Sequence, residues 1–199
     1  WNYHLPSQAT ITAIHENTRV TFELGGNEFT QTAGGMKPGD IKQVTLNKGD
    51  VWMFQSRGDN SDLSGSRITA NKPVSVIAGN QCANIPVGNQ WCDYIVQMLI
   101  PTEQWGKHYH IAKLPDRKYP SLIQVYAKEE DTKIFRDGKQ ISFIPDFGGV
   151  EKEGFQEMRM HPLSESNHSV VISGDKPIGI TFYNVSTKED GYPLPNSEP

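Results

Sequence analysis

The sequence predicts an all-β fold made of two pseudo-repeated β-sandwich-like lobes packed in one unit. Three observations predict it. Helical periodicity is nearly absent along the 199 residues. Short segments that alternate apolar and polar residues recur throughout, bounded by turn residues from a chain with 18 glycines and 13 prolines. Two of these segments reappear later in the chain, in the same order. Short strands at this spacing favour sandwiches over βαβ units.

The elements follow in order. Ala9–Ile14 and Arg19–Leu24 both alternate, and His15–Thr18 between them has turn chemistry, so the pair reads as a hairpin. Lys42–Leu46 is another alternating strand, Asn47–Asp50 is a turn, and Val51–Phe54 leaves it. Ser66–Ala70 runs through Asn71 and Lys72 into Pro73–Ala78. Pro73 has a fixed φ and no N–H to give a ladder, so it opens the second strand. Lys107–Ala112, Leu122–Ala127, Lys133–Arg136, Phe155–Met160, Ser169–Ser173 and Pro177–Asn184 are the later strands.

The repeat is read directly. Ile11–Val20 and Gln124–Ile134 share an order: alternating strand, acidic turn, threonine, base, β-branched residue. Ile68–Val76 has its counterpart in Ile172–Ile180, with Asn71-Lys72-Pro73 matched by Asp175-Lys176-Pro177. Thr18 and Thr132 are 114 residues apart, and Lys72 and Lys176 are 104 apart, so the offsets agree within loop-length variation. The organisation expected is one unit over 1–199. It holds a first β lobe at 7–85, a connecting insert at 86–120, a second β lobe at 121–187, and a tail or linker at 188–199. Pro193, Pro195 and Pro199 block helix in that tail. A turn present once per lobe is explained by folding rather than by a unique site.

A formal charge of -4 argues against nucleic acid, which needs a basic face to neutralise phosphates. No apolar run approaches the roughly 18 residues of a membrane helix. The start at Trp1, without a Met, reads as a segment of a longer or processed precursor. Cys82 and Cys92 are the two cysteines, and their spacing is not the CxxC of zinc or redox sites. They read as one local disulfide closing a loop of about 11 residues, worth roughly 2.5–3 kcal/mol by chain entropy. That implies an oxidising compartment; two buried free thiols in a cytosolic protein are the alternative.

These residues resemble a known family. They are Thr12–Phe22, Leu46–Val51, Asp62–Ile68, Asn71–Cys82, Cys92-Asp93 and Pro101–Gly106, whose sequence is Pro-Thr-Glu-Gln-Trp-Gly. In this order they are similar to the IgGFc-binding domain family, named for the amino-terminal region of a mucus protein and found in many surface proteins. The match covers most of the chain and is densest between residues 44 and 112. The resemblance implies an extracellular, non-catalytic adhesion or scaffold module. Its partner would be a protein or glycoprotein, with IgG Fc or a mucin-type glycoprotein as candidates. It places no binding motif on particular residues.

Candidate sites come from the residues. Trp91 lies inside the cysteine loop among Asn89, Gln90 and Asp93, and an aromatic on a stapled loop makes a binding hot spot for protein or glycan. Trp52, between alternating neighbours, reads as core. Asn167 and Asn184 open N-x-S sequons, which carry glycans in a eukaryotic secreted protein. His108 and His110 share a strand face but lack a third ligand, so no metal site is assigned. Asp59–Asp62 starts like a calcium loop, yet its sixth and twelfth places hold Ser64 and Ala70 in place of Gly and Glu. No G-x-S-x-G elbow exists, and Glu129-Glu130-Asp131 falls in a turn, so no catalytic residue and no cofactor are assigned. Three alternatives to the adhesion module remain: a carbohydrate-binding module using Trp91, a structural spacer without a ligand, and a glycan-processing enzyme with two opposed carboxylates.

Overall fold

The structure is a computed structural model. It describes residues 5–26, 28–58, 61–85, 92–112, 114, 121–129, 132–141, 155–159 and 169–184, with 155–159 described for their backbone alone. The fold is all-β, and a 3₁₀ turn at Thr102–Gln104 is the helical segment among the described residues. Contacts divide the chain into two compact units. The first takes Trp1–Ala83 and Tyr94–Ile100; the second takes Asn84–Asp93 and Pro101–Pro199.

In the first unit the strands are β1 (Ser7–Ala13), β2 (Thr18–Glu23), β3 (Ile41–Leu46), β4 (Val51–Gln55), β5 (Arg67–Ala70), β6 (Val74–Ala83) and β7 (Asp93–Met98). They form a four-stranded sheet, β4-β1-β6-β7, and a three-stranded sheet, β3-β2-β5. Every second residue of β1 (Ala9, Ile11, Ala13) is buried, as are Val20 and Phe22 of β2. These side chains meet Phe54 of β4 and Leu46 of β3 in one core, so the two sheets face each other across it. Its centre is aromatic. Phe22 stacks on Phe54 with centroids 3.7 Å apart, and Trp52 tilts against Phe54 at 4.3 Å. Trp52 thus packs in the core, as its alternating strand implies.

One expectation is corrected. Ala9–Ile14 and Arg19–Leu24 do not form a hairpin. β1 pairs with β4 and β6, while β2 pairs with β3 and β5. The turn between them is an arch that carries the chain from one sheet to the other. The links from β3 to β4 and from β5 to β6 do the same. Alternation shows that one face of each strand is buried, and both arrangements bury it. The arches are bonded together. Thr18 Oγ1 donates to the His15 carbonyl at 2.7 Å, and the Arg19 N–H donates to Asn71 Oδ1 at 2.7 Å. Lys72 Nζ donates to the Glu16 carbonyl at 2.6 Å.

The second unit holds β8 (Gly106–Ile111), β9 (Leu122–Ala127), β10 (Ile134–Arg136), β11 (Lys139–Gln140), β12 (Phe155–Arg159) and β13 (Val170–Tyr183). The order is β11-β10-β13-β9-β12, with β8 also on β13. The two strands expected at Ser169–Ser173 and Pro177–Asn184 are one strand whose register shifts between Ser173 and Ile178. Its first part pairs with β10 and β8, its second with β9. Ile111, Ile123, Val125, Ile134, Val170, Ile172 and Ile178 make the core.

Pairings in the second unit coincide with pairings in the first. Ile11 pairs with Val76, and Val125, 114 residues on, pairs with Ile180, 104 residues on. Thr21 pairs with Thr69 as Phe135 pairs with Ser173, at the same two offsets. The arch bonds coincide too. Thr132 Oγ1 donates to the Glu129 carbonyl at 2.5 Å, and the Lys133 N–H donates to Asp175 Oδ1 at 2.8 Å. The segment 86–120, expected as a connecting insert, contributes two strands: β7 joins β6 and β8 joins β13. The expected tail at 188–199 lies outside the described residues.

Candidate functional site

Cys82 sits in β6 and Cys92 immediately precedes β7, and both are half-buried. Both are disulfide-bonded, with no free cysteine in the chain. The bond closes a covalent ring over residues 82–92, the loop between β6 and β7. Trp91, Asn89 and Gln90, the expected ligand contacts in that ring, lie outside the described residues. So does Asn167. Asn184 is described; it is exposed and directly follows β13.

The segments that carry the family resemblance have local structural work. Ser66 Oγ accepts from the Gly25 N–H at 3.0 Å, and the Ser64 carbonyl accepts from the Gly26 N–H at 2.8 Å. The backbone there is so close that a Cβ on Gly25 would lie 2.3 Å from the Gly65 carbonyl carbon. The Leu-Ser-Gly-Ser run is therefore a backbone seam. Asp62 Oδ1 accepts from both the N–H and the hydroxyl of Ser64, each at 3.0 Å, which holds it in a local turn. Asp59 and Asn60, the other half of the calcium-like stretch, lie outside the described residues.

The Trp-Gly pair has a similar explanation. The Trp105 ring lies on Gly179, where an added Cβ would come within 2.6 Å of it. Tyr109 reaches back to this point: its hydroxyl donates to the Ile178 carbonyl at 2.6 Å and accepts from the Gly106 N–H at 3.0 Å. Glu103, on the adjoining 3₁₀ turn, has its carboxyl below the ordinary carboxylate range. Its own backbone N–H is the largest cause, followed by the Thr102 hydroxyl and then Lys128 at 3.7 Å.

One cluster was not foreseen. Gln124 of β9 is buried, and its Oε1 accepts from the Tyr126 hydroxyl at 2.8 Å and the Tyr183 hydroxyl at 3.1 Å. Trp105 lies 6.3 Å from Tyr126, centroid to centroid. The signal available was Gln124 and Tyr126 two apart on one strand, hence on one face. Strand periodicity alone does not say that Tyr183 joins them. His108 and His110 are exposed on β8, and among the described residues no group of three or more His, Cys, Asp or Glu converges for a metal.

Several antiparallel sheets and one disulfide define the class: an all-β, disulfide-bonded module. Comparison then places it. The chain belongs to the IgGFc-binding family, whose model, described as IgGFc binding protein, matches residues 1–196. It is similar to the human (Homo sapiens) IgGFc-binding protein, at 35% identity over 100 residues, which is 50% of this chain and 2% of that protein. The chain thus spans a small fraction of that relative's length. No solved structure matches. No helix among the described residues is long and apolar enough to cross a membrane.

Proposed function

We propose that the chain is a non-catalytic extracellular module that binds a protein or glycoprotein partner in adhesion or scaffolding. The observation that carries this reading is the family match over residues 1–196. IgG Fc is the first candidate, because the similar human protein is described as IgGFc-binding, and mucin-type glycoproteins are the second. The disulfide supports a secretory destination, since such bonds persist in oxidising compartments. The buried polar side chains support a non-catalytic role. Thr18 and Thr30 donate to carbonyls, while Thr32 and Ser56 accept from backbone N–H groups, so each already serves the fold.

The reading takes residues 7–85 and 121–187 as two copies of one lobe. The coinciding pairings and arch bonds support it. It places ligand contact on Trp91, Asn89 and Gln90, presented by the Cys82–Cys92 ring. It places N-glycans on Asn167 and Asn184 when the chain is made in a eukaryotic secretory pathway, and the exposure of Asn184 favours that site.

A second reading, a carbohydrate-binding module, draws on Trp91, the aromatic in the loop between the bonded Cys82 and Cys92. The test is a parallel binding screen of the oxidised chain against immobilised IgG Fc, mucin-type glycoproteins and a glycan array, repeated after reduction. Fc or mucin binding that survives removal of glycans supports the first reading. Binding to glycans alone supports the second. No binding to any of them overturns both and leaves a spacer.

A further inference from the structure

We propose that the outer edge of β5 is a strand-acceptor site, which takes an extended segment of another polypeptide as an added antiparallel strand of the three-stranded sheet. This goes beyond the binding role above. It concerns a surface other than the Cys82–Cys92 loop and stands on the strand pairings.

At this edge the second unit has a strand that the first lacks. β2 lies between β3 and β5, and β10 lies between β11 and the first part of β13. Phe22 pairs with Ile68 as Arg136, 114 residues on, pairs with Ile172, 104 residues on. The β13 segment has a second neighbour, β8: Ile111 pairs with Val170, His110 with Val171, Tyr109 with Ile172 and His108 with Ser173. The counterparts of these β13 residues are Ser66–Thr69. β5 there has β2 on one side and, among the described residues, no strand on the other.

The backbone of β5 is turned to receive one. The Asn71 N–H donates to the Arg19 carbonyl at 3.2 Å, so odd-numbered residues of β5 turn their backbone groups to β2. Those of Ile68 turn to the open side. β13 has the same phase: the Asp137 N–H donates to the Val171 carbonyl at 2.9 Å, which leaves the groups of Ile172 to β8. Burial differs as a missing strand requires. Ile172, with Tyr109 opposite it, is 0% exposed, whereas Ile68 packs on its own core yet stays half-buried. Proteins blunt open edges with charge or shortness. Here Arg67 stands opposite Glu23 within the sheet, and four residues of edge equal the four consecutive pairs that hold β8.

The counterpart gives the occupant's chemistry. In β8, Tyr109 and Ile111 pack on the core, while His108 and His110 are exposed. The segment that fits β5 therefore alternates. It sets an aromatic or large apolar side chain opposite Ile68 and a neutral or acidic one opposite Arg67, because like charges directly opposite repel.

The test uses a synthetic peptide with the sequence of residues 101–112, fluorescently labelled and titrated into the full oxidised chain. A second peptide carries a methyl on the Tyr109 backbone nitrogen, which removes the N–H aimed at the Ile68 carbonyl. Two protein variants accompany them. Ile68→Pro removes the outward N–H of β5, and Gln43→Pro is the control on β3, the other edge of the sheet. Circular dichroism confirms that each is folded, and the methylated peptide tests the same bond without altering the protein. The expected result is saturable binding with a dissociation constant below about 1 mM, weakened at least about tenfold by the methyl and by Ile68→Pro and unchanged in Gln43→Pro. Amide exchange at Ile68 is expected to slow when the peptide binds. No saturable binding, or equal binding of both peptides, overturns the proposal. So does slowed exchange confined to β13, where the peptide would have displaced β8, or binding lost only in Gln43→Pro.

Discussion

Thr18 and Thr132 make the same hydrogen bond in different surroundings. Each hydroxyl donates to the carbonyl three residues earlier, but Thr18 is fully buried while the Thr132 bond is exposed. Water can replace the lost donor at the second site but not at the first. Thr18→Val is expected to cost about 1–3 kcal/mol and Thr132→Val under about 1 kcal/mol, read from urea unfolding of each variant. At Gly179 the constraint is space. Gly179→Ala drives a methyl into the Trp105 ring, and the ring must shift or the strand must bend. The expected loss is about 1–3 kcal/mol, with an altered tryptophan emission that reports the displaced indole. Neither effect is visible in the sequence, where Thr18 reads as a turn residue and Gly179 as one more strand glycine.

At the scale of elements, the arches set the architecture. Asn71 and Asp175 use the same side-chain oxygen to hold the N–H of Arg19 and of Lys133. Asn71→Ala is expected to destabilise by about 1 kcal/mol in thermal unfolding, whereas Asn71→Asp retains the acceptor and most of the stability. The 3₁₀ turn makes a separate prediction. Glu103 titrates below the ordinary carboxylate range because its charged form accepts hydrogen bonds. With the folded pKa depressed, its contribution is present above the unfolded pKa and is lost as pH falls through the folded one. An NMR titration is expected to place the Glu103 midpoint below that of exposed glutamates, and Thr102→Val to raise it toward them. The arches themselves were misread as a hairpin for a physical reason. A short polar turn between two alternating strands fits a hairpin within one sheet and an arch between two, and only the pairing of β1 with β6 and of β2 with β5 separates them.

At the scale of the whole molecule, the disulfide ties the end of β6 to the start of β7, its neighbour in the same sheet. Reduction is expected to lower stability by about 2.5–3 kcal/mol, the chain entropy of a ring this size, seen as a shifted urea midpoint with and without reductant. Alkylated Cys82→Ser and Cys92→Ser variants are expected to match the reduced parent.

The sequence by itself determined the all-β class, most strand positions, the one disulfide and the family. Each of these is written locally, in alternation, turn residues, a lone cysteine pair and a run of short motifs. It also carried the 114- and 104-residue offsets at which strand pairings of the two units coincide, because register is a matter of counting residues. The tertiary structure alone decided which strands are neighbours, that β7 joins the first sheet although its apolar run has no clear period, and that Gln124 gathers two tyrosine hydroxyls. Tyr183 and Gln124 are 59 residues apart in the chain, and no local pattern encodes a contact made by the closure of a sheet.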